Sequence, residues 1–265
     1  SRGACLLRGV LGRFVGGDVI FNFNRVGSGC GLVGPHAAGT LAGTVYWMSQ
    51  NNFYVMSESG VQVLPCTVWD FVFQNLDEAN IEKVRCAPNS AFSEISWFFP
   101  SAESDGENDC YVKFDISEGV WDHGFMDRTA WVDVSVLGNP IGSDVSATLF
   151  QHEEGETNSG VGAPSFQSGW WAITEGSDFA FVDFVLPDFK FGTYSTAQDA
   201  IINVPFYSAN YPGEEVTQYG PYVVTAATEY LPPRIRGRLM SVLVQGGGLS
   251  YWRIGRIRYR YATSG

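Results

Sequence analysis

The sequence predicts an all-β protein built from four-stranded antiparallel blades, in the manner of a β-propeller, with a β-sandwich or jelly roll as the alternative packing. Three observations predict it. Apolar and polar residues alternate in runs of about five to nine, the period of a half-buried strand. Rings make up 15 % of the 265 residues and glycine occurs 31 times, a composition suited to packed sheets joined by tight turns. Groups of four such runs recur about every 40 residues, the size of one propeller blade.

The elements follow in order. Val19, Phe21 and Phe23 alternate with Ile20, Asn22 and Asn24, predicting a strand within Asp18 to Val26. The Gly-rich stretch Gly27 to Gly43 reads as a loop. Thr44 to Ser49 and Phe53 to Ser57 are two strands joined by Gln50-Asn51-Asn52, because Asn tolerates the left-handed backbone of a tight turn. Ser59-Gly60 then turns the chain into Val61 to Leu64, completing a meander. Asp77 to Lys83 is the single predicted helix, with Asn75 or Asp77 as its N-cap and acids in the first turn.

A second unit follows with strands at Lys83 to Cys86, Glu94 to Phe99, Cys110 to Asp115 and Val120-Trp121. Phe114-Asp115 before the turn and Gly119-Val120-Trp121 after it resemble the strand–turn–strand element of kelch-type propellers, in which glycine permits positive φ and the tryptophan packs between blades. A third unit takes Thr129 to Asp133, Ala147 to Phe150 and Trp170 to Ile173. A fourth takes Phe179 to Phe189, Ile201 to Phe206 and Pro221 to Thr225, and the last takes Arg236 to Val244 and Ser250 to Tyr261. The expectation is one domain over 1–265, complete or a fragment of a longer chain, with long insertions near 153–169 and 207–220.

Composition bounds the function. No run approaches the roughly 18 uncharged apolar residues of a membrane span, so no membrane insertion is expected. The opening Ser1 to Cys5 is not followed by an unbroken apolar stretch, since Arg8 and Arg13 interrupt it, which argues against a secretory signal. Cys5, Cys30, Cys66, Cys86 and Cys110 are odd in number and never spaced C-x-x-C, so reduced thiols are expected rather than disulfides or zinc.

Candidate chemistry is sparse. Gly29-Cys30-Gly31-Leu32-Val33-Gly34 matches G-x-G-x-x-G, but Pro35 and more glycines follow where a dinucleotide site needs a helix, so a loop is expected. Glu103, Asp105, Glu107 and Asp109 fall at every second position but lack the rest of a calcium loop, and read as a solvated hairpin tip. His36, His123 and His152 have no zinc spacing, and Asp122 beside His123 does not by itself make a triad. No catalytic, cofactor or metal residue is assigned, and the chain is expected not to be an enzyme.

Charge marks one surface. The formal net charge is −12, and residues 234–265 hold seven Arg and no acid, leaving a net −19 on residues 1–233. Arg234, Arg236 and Arg238 alternate, as do Arg256, Arg258 and Arg260, so each trio is expected on one strand face, with Arg253, Tyr251, Trp252, Tyr259 and Tyr261 nearby. These seven arginines are the predicted interface. Pairing with acids of this chain or another subunit is favoured over nucleic acid, which the acidic body repels.

Several stretches resemble one family. They are Tyr46-Trp47-Met48 with Phe53-Tyr54, Val63 to Val68 with Asp70, Val72 and Phe73, and Lys83-Val84 with Asn89, Glu94, Trp97-Phe98 and Pro100-Ser101. Glu107-Asn108-Asp109, Tyr111-Val112, Arg128 to Trp131, His152-Glu153 with Gly155, and Leu186 to Phe189 continue the pattern. Gly220-Pro221-Tyr222, Arg236-Gly237-Arg238 and Trp252-Arg253 with Gly255 complete it. The chain thereby resembles, over residues 26–255, the propeller-bearing tail hub, nozzle or head-closure (stabilisation) proteins of short-tailed bacteriophages and prophages. The resemblance implies a structural virion protein, assembled in the bacterial cytoplasm. It implies a homo-oligomeric ring with other tail and connector proteins around the channel through which DNA leaves. Two other functions compete: a receptor- or glycan-binding propeller, favoured if Trp170-Trp171 or Trp97-Phe98-Phe99 is exposed, and a glycan hydrolase, which needs carboxylates converging in one pocket.

Overall fold

A computed structural model of the chain describes residues 27–57, 60–154, 165–191, 201–247 and 252–264, with the strand backbones β1 (Cys5–Leu7), β2 (Val10–Phe14) and β3 (Phe21–Arg25). The protein is nearly all β. The only helices among the described residues are α1 (Trp69–Phe73) and a 3-10 helix, Glu78–Lys83. Neither is long and apolar enough to cross a membrane. The chain forms two compact units, Ser1–Glu154 and Gly155–Gly265.

The first unit is a succession of antiparallel meanders. After β1-β2-β3 comes the sheet β4 (Ala38–Leu41), β5 (Thr44–Met48), β6 (Phe53–Ser57), β7 (Gly60–Leu64). Next comes β8 (Arg85–Asn89), β9 (Glu94–Phe99), β10 (Cys110–Asp115), β11 (Val120–Phe125), and last β12 (Ala130–Val132), β13 (Ile141–Ser143), β14 (Leu149–Gln151). The two central sheets have the four-stranded order of a blade. A closed ring of blades is not seen among the described residues.

Strand alternation divides the β8–β11 sheet into two faces. Ile95, Trp97, Phe99, Val112 and Phe114 point one way and pack with Tyr46, Met48 and Phe53 of the preceding sheet and with Val72 of α1. The Trp97 indole N–H donates to Ala37 O at 3.0 Å, so the largest ring of this core leaves no polar atom unpaired. Trp121 bridges the two sheets as expected: its ring lies 4.8 Å from that of Phe53 and 4.9 Å from that of Phe114, and its N–H donates to Pro65 O at 2.7 Å. In the preceding turn Gly119 has φ +68°, and Asp115 Oδ1 accepts from the N–H groups of Ser117 and Glu118.

Two local elements differ from expectation. The Gly27 to Gly43 stretch contains β4, because a Cβ on Gly39 would come within 2.7 Å of Cys86 Sγ; glycine there lets the two sheets close on each other. The predicted helix is a 3-10 helix kinked at Asn80, with Asp77 as its N-cap accepting from Ala79 N at 2.9 Å.

The second unit departs from the blade scheme. β17 (Phe179–Leu186) pairs with β21 (Ile235–Gly237) and β24 (Arg258–Ser264), not with the strand Ile201–Ala209. β19 (Ile201–Ala209) pairs with β20 (Thr217–Val224) and β22 (Leu239–Gly247), and β22 also takes β15 (Ser165–Gln167) and β16 (Trp171–Ala172). The predicted fourth and fifth groupings are therefore corrected, and Trp171 pairs in this unit rather than with β14. The physical reason is one shared core. Val182, Val185 and Ile235 of the first sheet meet Val204, Phe206 and Val242 of the second, a two-sheet packing of the sandwich kind. The expected insertion at 207–220 is the end of a hairpin, whose arms β19 and β20 are joined by residues 210–216. Most of the one at 153–169 lies outside the described residues.

Candidate functional site

Three strands of the second unit, in the order β21-β17-β24, carry three of the seven predicted arginines, Arg236, Arg258 and Arg260. Their register decides which side chains share a face. Phe181 lies opposite both Arg236 and Ala262, Phe184 opposite Arg260, and Leu186 opposite Arg258. A bulge between Val182 and Phe184 keeps Phe181 and Phe184 on that same face, while Ala180, Val182, Val185 and Ile235 turn into the core.

The outward face is cationic and aromatic together. The Arg236 guanidinium sits 4.2 Å from the centre of the Phe179 ring and that of Arg238 4.9 Å, so one ring holds two cations. Arg260 lies 5.3 Å over Phe184, whose other contact is the stacked Tyr230 ring at 5.1 Å. Phe181 remains exposed between them, and Leu186 is exposed beyond Phe184. Asp183, at the bulge, is the one acid in these three strands. It takes Arg260 in two hydrogen bonds of 2.9 and 2.8 Å. That pairing holds the Asp183 carboxyl below its ordinary range and raises Arg260. Arg236 and Arg258 are exposed with no acid paired to them among the described residues, and the half-buried Arg238 has its Nε without a hydrogen-bond partner there.

The other predicted residues fall elsewhere. Arg234 and Arg256 lie outside the strands, and Arg253 is in β23 (Trp252–Ile254), opposite Lys190 of β18 (Phe189–Phe191). Tyr259 and Tyr261 take the face opposite Arg258 and Arg260, where Tyr259 stacks on Trp171 at 5.0 Å. Tyr251 lies outside the described residues. Phe179, Phe184, Asp183 and Tyr230 were not anticipated. The run Phe179-Ala180-Phe181 was the available signal, but it marks an outward face only once β17 is known to border both arginine strands.

The remaining candidates resolve into structure. Gly29 to Gly34 leads into a turn and β4, not a helix. The acidic loop is pinned rather than merely solvated: Lys83 Nζ contacts Glu107 Oε1 and Gly106 O at 2.6 Å each, and Asp109 accepts from Ser101 N and Oγ at 2.7 and 2.6 Å. No group of three or more His, Cys, Asp or Glu gathers as for a metal among the described residues. His123 stacks on Phe71 at 3.9 Å, while Asp122 lies 3.7 Å from Lys113, so they do not form a triad. Trp97, Phe98 and Phe99 are buried, which removes that surface from the receptor-binding reading, whereas Trp170 is exposed. Cys30, Cys66, Cys86 and Cys110 are free thiols. No family model and no curated protein matches the chain.

Proposed function

We propose that the chain is a structural, ring-forming component of a bacteriophage tail or connector, acting without catalysis around the channel through which DNA leaves. The observation that carries this reading is the arginine-faced sheet. A cationic, aromatic face with one paired acid is what a protein interface enriched in Arg and rings looks like. Its complement is on the same chain: residues 1–154 hold 8 Lys/Arg against 19 Asp/Glu, a net −11, whereas residues 155–265 hold 8 against 9. A cationic patch on one unit and an acidic surface on the other favour head-to-tail contact between copies, and a head-to-tail contact that closes makes a ring. The resemblance to tail hub, nozzle and head-closure proteins supports the same reading. An acidic lumen would repel DNA weakly over about one Debye length, ~8 Å at physiological salt, and let it slide.

Light scattering of the purified protein, followed by electron microscopy of any large species, tests this. A defined multiple of the 29.0 kDa chain with a central hole supports it. A monomer at every concentration, or an assembly without a channel, overturns it.

A further inference from the structure

The second face of the β8–β11 sheet is polar where the first is apolar. Asn89, Glu94, Ser96, Phe98, Tyr111 and Lys113 all point this way, as the cross-strand register requires. The β12–β14 sheet docks over part of it. The Trp131 indole N–H donates to Pro88 O at 2.8 Å, and Asp133 accepts from Ser90 N and Oγ at 2.8 and 3.1 Å. The part left uncovered is a solvent-open cavity of about 120 Å³, whose remaining wall includes Trp131, His152 and Glu153.

Three features of this cavity call for a ligand of one kind. The first is Asn89, which is 5 % exposed. Its Nδ2 donates to Glu153 Oε1 at 3.1 Å, and its Oδ1 is buried with no hydrogen-bond partner among the described residues. Buried polar atoms of native proteins are paired in about nine cases in ten, so an unpaired acceptor on a cavity wall points to a donor supplied from the cavity.

The second feature is charge. Lys113 Nζ lies 3.1 Å from Glu94 and 3.7 Å from Asp122, so the cation on the floor is already neutralised. Arg128 Nε donates to His152 Nε2 at 2.9 Å. A guanidinium only donates, so Nε2 is unprotonated and the neutral ring carries its hydrogen on Nδ1, a donor. The cavity thus offers acceptors and donors in mixture, with no free cation to hold an anion.

The third feature is the aromatic wall of Phe98, Tyr111 and Trp131, with Phe98 and Trp131 rings 5.8 Å apart. Such a wall accepts the C–H face of a ring whose edge carries hydroxyls.

We infer that this cavity binds one neutral sugar ring, with Asn89 Oδ1 and the Glu153 carboxylate accepting from its hydroxyls, Lys113 and His152 donating to it, and Trp131 packing against its C–H face. Glu94 and Glu153 both border the cavity, where Glu94 is paired with Lys113 and Glu153 accepts from Asn89, so both carboxylates are held in place at its edge. A monomeric protein would bind the sugar equally, and assembly and sugar binding fail or succeed separately.

Saturation-transfer NMR tests this with the methyl glycosides of glucose, galactose, mannose and N-acetylglucosamine as probes, and n-butylammonium as the charged comparison. At least one glycoside is expected to receive saturation from the wild-type protein. Its binding should weaken at least tenfold in Glu153→Ala, which changes an exposed residue, and in Trp131→Phe, with thermal unfolding showing that both variants fold. Three results overturn the inference: no glycoside receiving saturation, equal binding by wild type and Glu153→Ala, or n-butylammonium binding more tightly than every glycoside.

Discussion

Lowering the pH should loosen the first unit through one residue, His152. Its ring lies 4.6 Å from Trp131, and Nε2 accepts from Arg128, whose side chain is buried beside Phe150 at 4.1 Å. Burial first, and the Arg128 charge second, push His152 down from 6.5 to about 4. Between those two values the unfolded chain binds the proton and the folded one does not. Stability therefore falls as pH is lowered from about 6.5 to about 4, and nothing further is lost to this group below that. At about 1.4 kcal/mol per pH unit, the gap sets a ceiling of about 3 kcal/mol. The ring is only half-buried, so solvent screening reduces this to about 1–2 kcal/mol. For a unit of this size that corresponds to about 2–8 °C in melting temperature. His152→Gln keeps an acceptor for Arg128 and cannot titrate. The measurement is the melting temperature of both proteins at pH 7 and pH 4.5, with the His152 ring proton followed by NMR. The wild type should lose more than the variant by this amount. An equal loss in both, or a His152 resonance that titrates near 6.5, refutes the reasoning.

Three further outcomes follow from named contacts. Trp97→Ala removes a fully buried ring and the partner of Ala37 O, and should cost about 3–5 kcal/mol in urea unfolding; a loss below about 1 kcal/mol would mean the two-sheet core is not formed as described. Burial pushes the thiols of Cys66 to about 11 and Cys110 to about 12, and raises Cys86 as well, so iodoacetamide at pH 8 should leave all three unmodified in the folded protein and alkylate them after denaturation, as read by mass spectrometry. Asp183→Asn removes the one acid from the arginine strands; because its ion pair with Arg260 is solvent-exposed, the melting temperature should not change measurably, while association between copies should strengthen at low salt in sedimentation velocity.

How far the sequence revealed the fold depended on whether partners lay close along the chain. In the first unit each strand pairs with its neighbour, and turns such as Asn51-Asn52 and Glu118-Gly119 fix the register locally, so alternation and turn residues were enough. In the second unit Phe179 pairs with Ser264, and Ile201 with Gly247. Such partners are chosen by which apolar faces close one core, and no local pattern announces that choice. β4 was hidden because its glycine serves contact with Cys86 rather than a turn. Spacing revealed that arginines share a face, but the rings under Arg236, Arg238 and Arg260 come from β17, distant in sequence. Nothing in the spacing of Asn89, Lys113, Trp131 and Glu153 suggested a common cavity; three successive chain segments had to fold before these residues met.

The most direct test of assembly through the arginine face is the solution mass of wild type and of Arg236→Glu/Arg258→Glu, two exposed positions, at low and high salt. Assembly through this face gives a wild-type ring that loosens as salt rises and a double variant that is monomeric in both conditions. A double variant that forms the same ring as wild type, or a wild type that is monomeric at low salt, would contradict it.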